Sequence, residues 1–372
     1  MRIGVPTEIK NNEFRVGLVP SSVRELTARG HDVVVQAGAG AGIFADDAAY
    51  EKAGAQILPT ADAVFDAADM IVKVKEPQAV EYRRLKPHQI LFTYLHLAPD
   101  PEQAQGLMQS GATAIAYETV TDSAGGLPLL APMSEVAGRL AIEAAAIALR
   151  RPTGGRGVLM GGVPGVRPAK VVVLGGGVVG THAARMAAGL GAEVSIIDRS
   201  LPRLRQLDEL FKGRVRTLAS TLDTVETEVL GADVVVGAVL IAGASAPKLV
   251  RRDMLAQMKR GAVLVDVSID QGGCFETSRP TTHADPTFEV DGIIHYCVAN
   301  MPGAVPTTSA QALNNATLPF VLKLADKGLA ALDDPHLAAG VNVHGGRITH
   351  PAVAASLGFG HAPAERFALA AA

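Results

Sequence analysis

The sequence is poor in the features that mark several classes of protein. Its 372 residues include no Trp, only 4% aromatic residues and two cysteines, Cys274 and Cys297. Two cysteines give no disulfide framework, so we expect both to pack in the core of a protein that folds in a reducing compartment, the cytoplasm. No apolar run is long enough to span a bilayer, so we expect no membrane association. The chain opens with a strand pattern, Met1-Arg-Ile-Gly, where a secretion signal would begin with a basic region.

The sequence also lacks a strong excess of charge. The formal net charge is −3, which predicts neither a nucleic-acid partner nor attraction to an acidic membrane. No cluster of His, Cys, Asp and Glu requires a metal ion, so no metal is predicted. Small and apolar residues are abundant instead: 48% of the chain is hydrophobic and 39 residues are glycine. This composition and the chain length favour tightly packed α/β layers in two domains.

A nucleotide-binding fingerprint occupies residues 170–198. Its first residues, Lys-Val-Val-Val-Leu, are typical of a strand buried on both faces of a parallel sheet. Gly175, Gly177 and Gly180 then stand at the spacing that allows a tight turn, close approach of a pyrophosphate, and close packing of the next helix. Free amide groups at the start of that helix would face the phosphates. The pattern predicts a doubly wound, Rossmann-type domain.

The end of the next strand indicates which dinucleotide is bound. A second apolar run, residues 194–197, leads into Asp198, about twenty residues beyond the glycines. A carboxylate at this position can accept hydrogen bonds from both ribose hydroxyls of an adenosine, and it repels a 2′-phosphate. We therefore predict NAD rather than NADP as the cofactor.

Strand and helix patterns alternate through the rest of the chain, which predicts two open α/β sheets. The strands predicted before the fingerprint are Arg2 to Val5, Val33 to Val35, Met70 to Val74, Ile90 to Tyr94 and Thr113 to Tyr117. The helices predicted there are Ser21 to Arg29, Ala48 to Ala53, Ala61 to Ala67 and Pro101 to Ser110. Strands at Val215 to Leu218, Val234 to Ala238, Val263 to Val267 and Ile293 to Cys297 complete a second sheet of roughly six strands.

The order of these patterns predicts how the chain divides. Residues 1–128 and 306–372 are expected to form an open α/β substrate domain built from both chain ends. Residues 129–305 are expected to form the NAD-binding domain. A helix is predicted from about Ser309 to Lys327, and no strand of the nucleotide unit follows it. We expect it to pack back on the N-terminal domain, with the cleft between the two domains.

Three local features are also predicted. Ser21 or Ser22 is expected near the cap of the first helix. Ser134 is expected to open a long apolar helix that crosses from one domain to the other, and it is also a natural helix cap. The glycine-rich stretch 154–166 is expected to be a hairpin or an oligomer contact.

Long motifs elsewhere are specific enough to carry a resemblance. They are Gly4-Val-Pro-Thr-Glu-Ile-Lys-Asn-Asn-Glu-Phe-Arg-Val, Lys73-Val-Lys75-Glu-Pro, Thr93-Tyr-Leu-His96-Leu-Ala-Pro-Asp, Asp266-Val-Ser-Ile-Asp270-Gln-Gly-Gly-Cys and Val298-Ala-Asn-Met-Pro-Gly-Ala-Val-Pro. Over nearly the whole chain the sequence resembles the alanine dehydrogenase and pyridine nucleotide transhydrogenase family. Within that family, His96 and the Ile-Asp270-Gln element resemble the alanine dehydrogenases.

The resemblance implies two substrate-binding cations, Arg15 and Lys75. A guanidinium can hold a carboxylate with two parallel hydrogen bonds, although composition alone would make Arg15 a surface residue. Strand alternation places Lys73 and Lys75 on the same face, so spacing alone does not choose between them. The resemblance selects Lys75, whose pKa would fall if it were partly buried beside Arg15, an effect that Glu76 would offset.

The resemblance also implies two catalytic residues, His96 and Asp270. His96 lies just past a predicted strand, at the sheet edge where sites form, and its side chain titrates near neutral pH. It is expected to act as acid and base on the water that attacks an iminium. Asp270 follows another strand and is expected to steady an ammonium group or the attacking water, or alternatively to cap the glycine turn after it.

The remaining cofactor contacts are implied by the resemblance alone. They are Ser134, Val179, Arg203, Ser220, Val239, Leu240, Val267, Ser268, Ile269, Asp270, Arg279, Val298, Ala299, Asn300 and Met301. Arg203 and Arg279 would equally suit solvated charges.

Three functions follow from these observations, in order of preference. The first is NAD-dependent, reversible oxidative deamination of L-alanine to pyruvate and ammonia. The second is the NAD-binding part of a pyridine nucleotide transhydrogenase, and the third is an NAD-binding protein without turnover. The resemblance also implies a homo-oligomer, a homohexamer as is common in the family.

Overall fold

The computed structural model describes residues 1–239 and 246–362, which fold into two compact units. The first unit comprises Met1–Met133 and the described part of Val305–Ala372, and the second comprises the described part of Ser134–Ala304. Both units are α/β, so the predicted fold class is confirmed.

Strands and helices alternate along both units. In chain order the strands are β1 (Arg2–Val5), β2 (Asp32–Gln36), β3 (Gln56–Leu58), β4 (Met70–Val72), β5 (Ile90–Thr93), β6 (Thr113–Ala116), β7 (Lys170–Leu174), β8 (Glu193–Asp198), β9 (Arg216–Ala219), β10 (Val234–Gly237), β11 (Val263–Asp266), β12 (Thr287–Val290), β13 (Ile293–Tyr296), β14 (Val341–His344) and β15 (Arg347–Ile348). The α-helices are α1 (Pro20–Ala28), α2 (Asp47–Lys52), α3 (Ala61–Ala67), α4 (Ala79–Tyr82), α5 (Pro101–Ser110), α6 (Ala131–Ala148), α7 (Val178–Gly189), α8 (Leu201–Phe211), α9 (Leu222–Leu230), α10 (Arg252–Leu255), α11 (Pro306–Lys327), α12 (Pro335–Ala338) and α13 (Pro351–Leu357).

The sheet of the first unit, taken over the described residues, has eight strands in the order β15-β14-β6-β5-β4-β1-β2-β3. The six neighbouring strands β6, β5, β4, β1, β2 and β3 are parallel to one another. Strand β14 pairs antiparallel with β6 and with β15. Ile71, Leu91 and Ala114, from three adjacent strands, are buried in one hydrophobic cluster. Because the strands are parallel, the loops after β1, β4, β5 and β6 leave the same edge of the sheet.

The sheet of the second unit has seven strands in its described part, in the order β12-β13-β11-β10-β7-β8-β9. All neighbours are parallel except β12, an antiparallel edge strand that the predicted sheet of roughly six strands did not contain. Alternate residues of β7 enter opposite cores: Val171 and Val173 pack on one face, and Val172 and Leu174 on the other. The chain order reverses beside β7, so the glycine loop after it lies at the switch point where such sheets bind ligands.

Both cysteines lie in the core of the second unit, as predicted. Cys274 and Cys297 are buried and unoxidised. Burial raises the pKa of the Cys297 thiol to about 12 and raises the pKa of Cys274 as well. Both thiols are therefore protonated at neutral pH and act as packing residues.

Two predicted helix caps are wrong. Helix α1 begins at Pro20, so Ser21 and Ser22 lie in its first turn; the cap position is Val19, whose N–H donates to the side-chain oxygen of Asn314 at 3.0 Å. Helix α6 begins at Ala131, so Ser134 lies within the helix and does not open it. Both helices carry a proline in the first turn, where its preset φ and missing N–H suit a helix start.

Two other local predictions are confirmed. Helix α11 packs on the N-terminal part of the chain, since the buried Asn314 side chain also donates to the Gly17 carbonyl at 3.2 Å. Within the stretch 154–166, Val163 and Val166 pair antiparallel and close a hairpin turn. Leu159, Val163 and Val166 are exposed there.

Candidate active site

The three fingerprint glycines of the second unit, Gly175, Gly177 and Gly180, are required for different reasons. Gly175 has φ of +104°, and a Cβ added there would lie 2.5 Å from the Ala238 carbonyl oxygen. A Cβ on Gly180 would lie 1.8 Å from the Gly175 carbonyl oxygen. Both glycines are therefore required by the fold itself. A Cβ on Gly177, by contrast, would meet no described atom within 4 Å, so this glycine leaves open space beside the backbone for a ligand.

This open space lies at the start of helix α7. Gly177 occupies the cap position, where it has no side chain to bond the first amide groups of the helix. These N–H groups and the positive end of the helix dipole suit a phosphate. The loop therefore fits the pyrophosphate of a dinucleotide.

Asp198 lies directly beside the glycine loop. Its Oδ2 accepts a hydrogen bond from the Gly176 N–H at 2.6 Å, and its Oδ1 accepts one from the Ser200 N–H at 2.8 Å. These bonds fix the carboxylate, and each oxygen has a second lone pair that can accept a ribose hydroxyl. The negative charge at this place favours NAD over NADP.

Arg203 is tied to the same loop. Its Nε donates to the Gly176 carbonyl at 2.7 Å and its Nη2 donates to the Thr181 hydroxyl at 2.8 Å. Arg279, in contrast, lies over the Phe288 ring at 4.2 Å, a cation–π contact. Arg203 is therefore not a solvated surface charge, because its guanidinium is hydrogen-bonded to the loop.

Most of the other nominated cofactor residues follow parallel strands at the same edge of the second sheet. Ser220 follows β9, Val239 follows β10, residues 267–270 follow β11, and residues 298–301 follow β13. Val179 lies in the first turn of α7 and Ser134 in α6, whereas Leu240 lies outside the described residues. Asn300 has φ of +57°, a left-handed backbone that is uncommon for a residue with a Cβ.

Asp266, at the end of β11, holds the loop that carries Asp270. Its Oδ2 accepts hydrogen bonds from the N–H groups of Cys274 and Phe275 at 2.9 and 3.3 Å, and from the Ser278 hydroxyl at 2.5 Å. The glycine turn is thus organised by Asp266, and Asp270 itself is exposed. Burial raises the pKa of Asp266, and the three hydrogen bonds offset part of this rise.

In the first unit, Arg15 is buried and held by its neighbour Glu13. Arg15 Nε and Nη2 donate to the two oxygens of Glu13 at 2.7 and 2.5 Å. Burial alone would lower the pKa of Arg15, but this bidentate pair leaves it raised, so the guanidinium stays charged. Arg15 Nη1 donates to the Met133 sulfur at 2.9 Å. A thioether is a weak acceptor, so a substrate carboxylate would gain by replacing it at Nη1.

The structure separates the two lysines that spacing left open. Lys73 is fully buried, and its Nζ lies 3.0 Å from Glu8 Oε2 and 2.8 Å from Glu81 Oε1. Lys75 keeps 14% of its side chain exposed, with Nζ 3.9 Å from Glu76 Oε2. Lys73 is therefore part of a buried ionic cluster, and Lys75 is the lysine that a ligand can reach.

His96 follows β5 in an unusual conformation. Its φ is +48°, in the left-handed region, and its N–H donates to Glu118 Oε1 at 2.6 Å. Its ring Nδ1 lies 3.3 Å from Glu76 Oε2, and the ring stacks on Tyr94 with centroids 5.7 Å apart. Backbone strain of this kind is concentrated at functional sites.

Arg15, Lys75 and His96 thus belong to one cluster at the carboxyl edge of the first sheet. Glu76 contacts both Lys75 and His96. Tyr94 stacks on His96 and lies close enough to Arg15 for the guanidinium charge to affect its pKa. Burial raises the pKa of the Tyr94 hydroxyl, and Arg15 lowers it in part. Glu13 and Glu118 were not named from the sequence, and Glu76 was named only for its effect on the pKa of Lys75, although Glu13 and Glu76 stand inside the quoted motifs.

The part of the chain that the structure describes holds neither a cluster of metal ligands nor a membrane-spanning helix. Within residues 1–239 and 246–362, no group of three or more His, Cys, Asp or Glu side chains is placed to hold a metal ion. In the same part of the chain, no helix combines the length and apolarity needed to cross a bilayer.

A dinucleotide-type sheet in one unit and an Arg, Lys and His cluster in the other define a class, the two-domain NAD-binding α/β proteins. Sequence models described as "Alanine dehydrogenase/PNT, N-terminal domain" and "Alanine dehydrogenase/PNT, C-terminal domain" match residues 4–137 and 141–351. The chain therefore belongs to the alanine dehydrogenase/PNT family.

Individual relatives resemble the chain over nearly its whole length. It is 61% identical to an alanine dehydrogenase of Halomonas elongata over 360 residues, which are 96% of this chain and 97% of the relative. A solved L-alanine dehydrogenase aligns with a TM-score of 0.94 and 55% identity, covering 96% of this chain and 99% of that one. A transhydrogenase from Sinorhizobium meliloti is more distant, with a TM-score of 0.81 and 28% identity over 95% of this chain and 100% of that one.

Proposed function

We propose that this protein is an NAD-dependent L-alanine dehydrogenase that interconverts L-alanine with pyruvate and ammonia. The observation that carries the proposal is the cluster of Arg15, Lys75 and His96 at one sheet edge, in a chain that is 61% identical to an alanine dehydrogenase of Halomonas elongata and 55% identical to a solved L-alanine dehydrogenase. Residues 1–128 and 306–372 would then form the substrate domain, and residues 129–305 the NAD domain.

The residues of the second unit fit the proposed cofactor. Gly177 and the start of helix α7 would face the pyrophosphate, and Asp198 would bind the adenosine ribose. Bound NAD would supply the hydride acceptor. The other nominated residues at this edge, from Ser220 to Met301, complete the proposed cofactor site.

Binding of so small a substrate has to rely on charge. Alanine has six non-hydrogen atoms, and a ceiling of about 1.5 kcal/mol per atom limits its binding free energy to roughly 9 kcal/mol. Burial of its methyl group contributes only about 1 kcal/mol. Arg15 and Lys75 therefore supply most of the affinity, with the carboxylate of the substrate at Arg15 Nη1 in place of the Met133 sulfur.

His96 is proposed to move the proton that the reaction requires. Loss of hydride from Cα leaves an iminium, and His96 accepts a proton from the water that attacks it, returning this proton in the reverse direction. Acid–base catalysis of this kind is worth about 10²–10⁴-fold in rate. Asp270 is proposed to steady the ammonium group or the attacking water.

A direct assay tests the proposal. Purified protein mixed with L-alanine and NAD should produce NADH, and pyruvate with ammonia should consume it. Replacing His96 with Ala should lower kcat by about 10²–10⁴-fold while NAD binding is retained. A protein that binds NADH without turnover, or an H96A variant with a normal kcat, would refute the proposed reaction or the role of His96, respectively.

The remaining proposals rest on the family resemblance. We propose a homohexamer located in the cytoplasm. Sedimentation velocity of the purified protein measures the first, and fractionation of the source cells measures the second. The transhydrogenase function is disfavoured because the chain is 55% identical to the solved L-alanine dehydrogenase and 28% identical to the transhydrogenase.

A further inference from the structure

We propose that Glu76 is a positioning residue that fixes the ring of His96, so that Nδ1 carries a proton toward Glu76 and Nε2 exchanges the catalytic proton. The inference rests on the proposed function, because it gives a partner to the proposed acid–base residue. Glu76 itself is not expected to touch the substrate.

The contacts of Glu76 support this role. Its side chain is only 12% exposed, and its Oε2 lies 3.3 Å from His96 Nδ1 and 3.9 Å from Lys75 Nζ. Its Oε1 forms an ion pair with Lys10. One largely buried carboxylate therefore touches both the proposed base and the proposed substrate lysine.

The backbone that leads into Glu76 is held in place. The Lys75 carbonyl accepts a hydrogen bond from the Thr93 hydroxyl at 3.0 Å, and the Val74 N–H donates to Glu8 Oε1 at 2.6 Å. Because the segment before Glu76 is anchored to strand β5 and to the first loop, the carboxylate has a defined position relative to His96.

Glu118 holds the other partner. It accepts hydrogen bonds from the N–H groups of Leu95 and His96, at 3.1 and 2.6 Å from Oε1. These two bonds stabilise the left-handed backbone at His96, which is otherwise disfavoured for a residue with a Cβ. Backbone and ring of His96 are thus each held by a separate carboxylate.

The chemical consequence concerns the tautomer and the pKa of His96. A carboxylate at Nδ1 accepts its proton, which leaves the lone pair on Nε2 for the proton of the attacking water. When Nε2 takes that proton, the imidazolium formed is stabilised by the negative charge of Glu76. Several other charged or titratable groups of the described residues lie near this pair. Lys10 and Lys75 face Glu76, and Tyr94, whose pKa Arg15 lowers in part, stacks on His96. Glu118 bonds the His96 N–H and raises the pKa of His350 against the effect of its burial.

Removing the charge of Glu76 while keeping its shape tests the inference. In Glu76→Gln the cations Lys10 and Lys75 are no longer offset, so the pKa of His96 should fall by about 1 unit or more. Two readouts report it in the full-length protein: the acidic limb of kcat/KM against pH, and the pH dependence of His96 acylation by diethyl pyrocarbonate, followed by peptide mass spectrometry. With 44% of its side chain exposed, His96 is open to the reagent.

Two control variants define the specificity of the effect. Glu76→Asp keeps the charge and should recover at least part of the shift. Glu193→Gln removes a carboxylate that pairs with Arg216 at 3.5 Å in the second unit, and it should leave both profiles unchanged. The Kd for NAD should stay the same in all three variants, because they leave the glycine loop and Asp198 intact.

The outcomes separate this inference from the proposed function. If H96A is inactive and E76Q keeps the wild-type midpoints in both profiles, the role of Glu76 is refuted while that of His96 stands. If H96A retains normal kcat, the role of His96 in the reaction fails whatever E76Q does. A lowered midpoint in acylation and in the rate profile of E76Q, recovered by E76D, is the result that the structure predicts.

Discussion

The buried cluster of Lys73, Glu8 and Glu81 allows a sharp prediction about stability. Lys73 Nζ lies 3.0 Å from Glu8 and 2.8 Å from Glu81, and all three side chains are at most 2% exposed. Glu8 Oε1 also accepts the Val74 N–H at 2.6 Å. Replacing Lys73 with Met keeps most of the side-chain volume but leaves two buried carboxyl groups without their cation.

Removal of one partner from a buried ionic group costs about 3–5 kcal/mol, because the remaining charge is left desolvated. For a unit of this size that corresponds to roughly 6–20 °C in Tm. Lys86→Met is a matched control, since Lys86 Nζ pairs with Asp66 at 2.8 Å but both side chains are exposed. Exposed pairs contribute about 0–1 kcal/mol, so this variant should unfold close to the wild type.

Urea unfolding of K73M and K86M at one protein concentration measures the difference. Burial raises the pKa of Glu8 above its usual 4.5, so its carboxylate costs stability once the pH rises above that value. Without Lys73 this cost is larger, and it should shrink as the pH is lowered through the raised pKa toward 4.5. A K73M loss below 1 kcal/mol at neutral pH, or one that grows on acidification, would refute the reasoning.

Three further predictions concern the glycine loop, the ribose acid and the arginine. Gly177→Ala should raise KM for NAD with Tm unchanged, whereas Gly180→Ala should lower Tm, because its Cβ would meet the neighbouring carbonyl at 1.8 Å; equal Tm values would contradict this. Asp198→Ala should raise KM for NAD by at least roughly 10–150-fold, the effect of losing one of its two charged hydrogen bonds to the ribose, and weaken discrimination against NADP. Arg15→Lys should raise KM for alanine more than it lowers kcat, since a lysine ammonium cannot pair with both Glu13 oxygens and also present a donor at the position of Nη1; unchanged KM would exclude Arg15 as a ligand.

Most of the parallel strands were well predicted from the sequence because they are largely apolar runs, whereas the short parallel strand β3 was not predicted. Strand β7 and strand β10, for example, have four consecutive fully buried residues each. Three of the four edge strands of the described sheets, β3, β12 and β15, were missed, whereas β9 was predicted. Strand β12 alternates only weakly in burial, β3 has three residues and β15 has two. Edge strands bury too little surface to leave a clear apolar pattern.

Helix starts were predicted less well, because the partner of a helix end can lie far away in the chain. Nothing near Val19 indicates that its N–H would be bonded by Asn314, a residue of helix α11. The serines beside it were therefore natural but wrong choices for the cap. Local hydrogen-bond rules work only where the helix end finds its partner locally.

Some residues of the candidate site could be named from the sequence, and others were distinguished only by the structure. Residue type, spacing and the family resemblance were enough to nominate Arg15, Lys75 and His96, and the glycines with Asp198 follow from the backbone needs of a dinucleotide. Spacing left Lys73 and Lys75 equivalent. Their burial distinguishes them, because Lys73 is fully buried between Glu8 and Glu81 whereas Lys75 keeps 14% of its side chain exposed.

The sequence by itself therefore determined the class of fold, the cofactor and the residue types of the site, since apolar periodicity and glycine spacing are local properties of the chain. Only the tertiary structure decided which carboxylate faces which cation. Among the described residues, Glu13 pairs with Arg15, Glu8 and Glu81 pair with Lys73, and Glu76 and Glu118 contact His96. Most of these pairs join loops that follow different parallel strands, and ion pairing depends on distance in space and on burial, neither of which a linear pattern records.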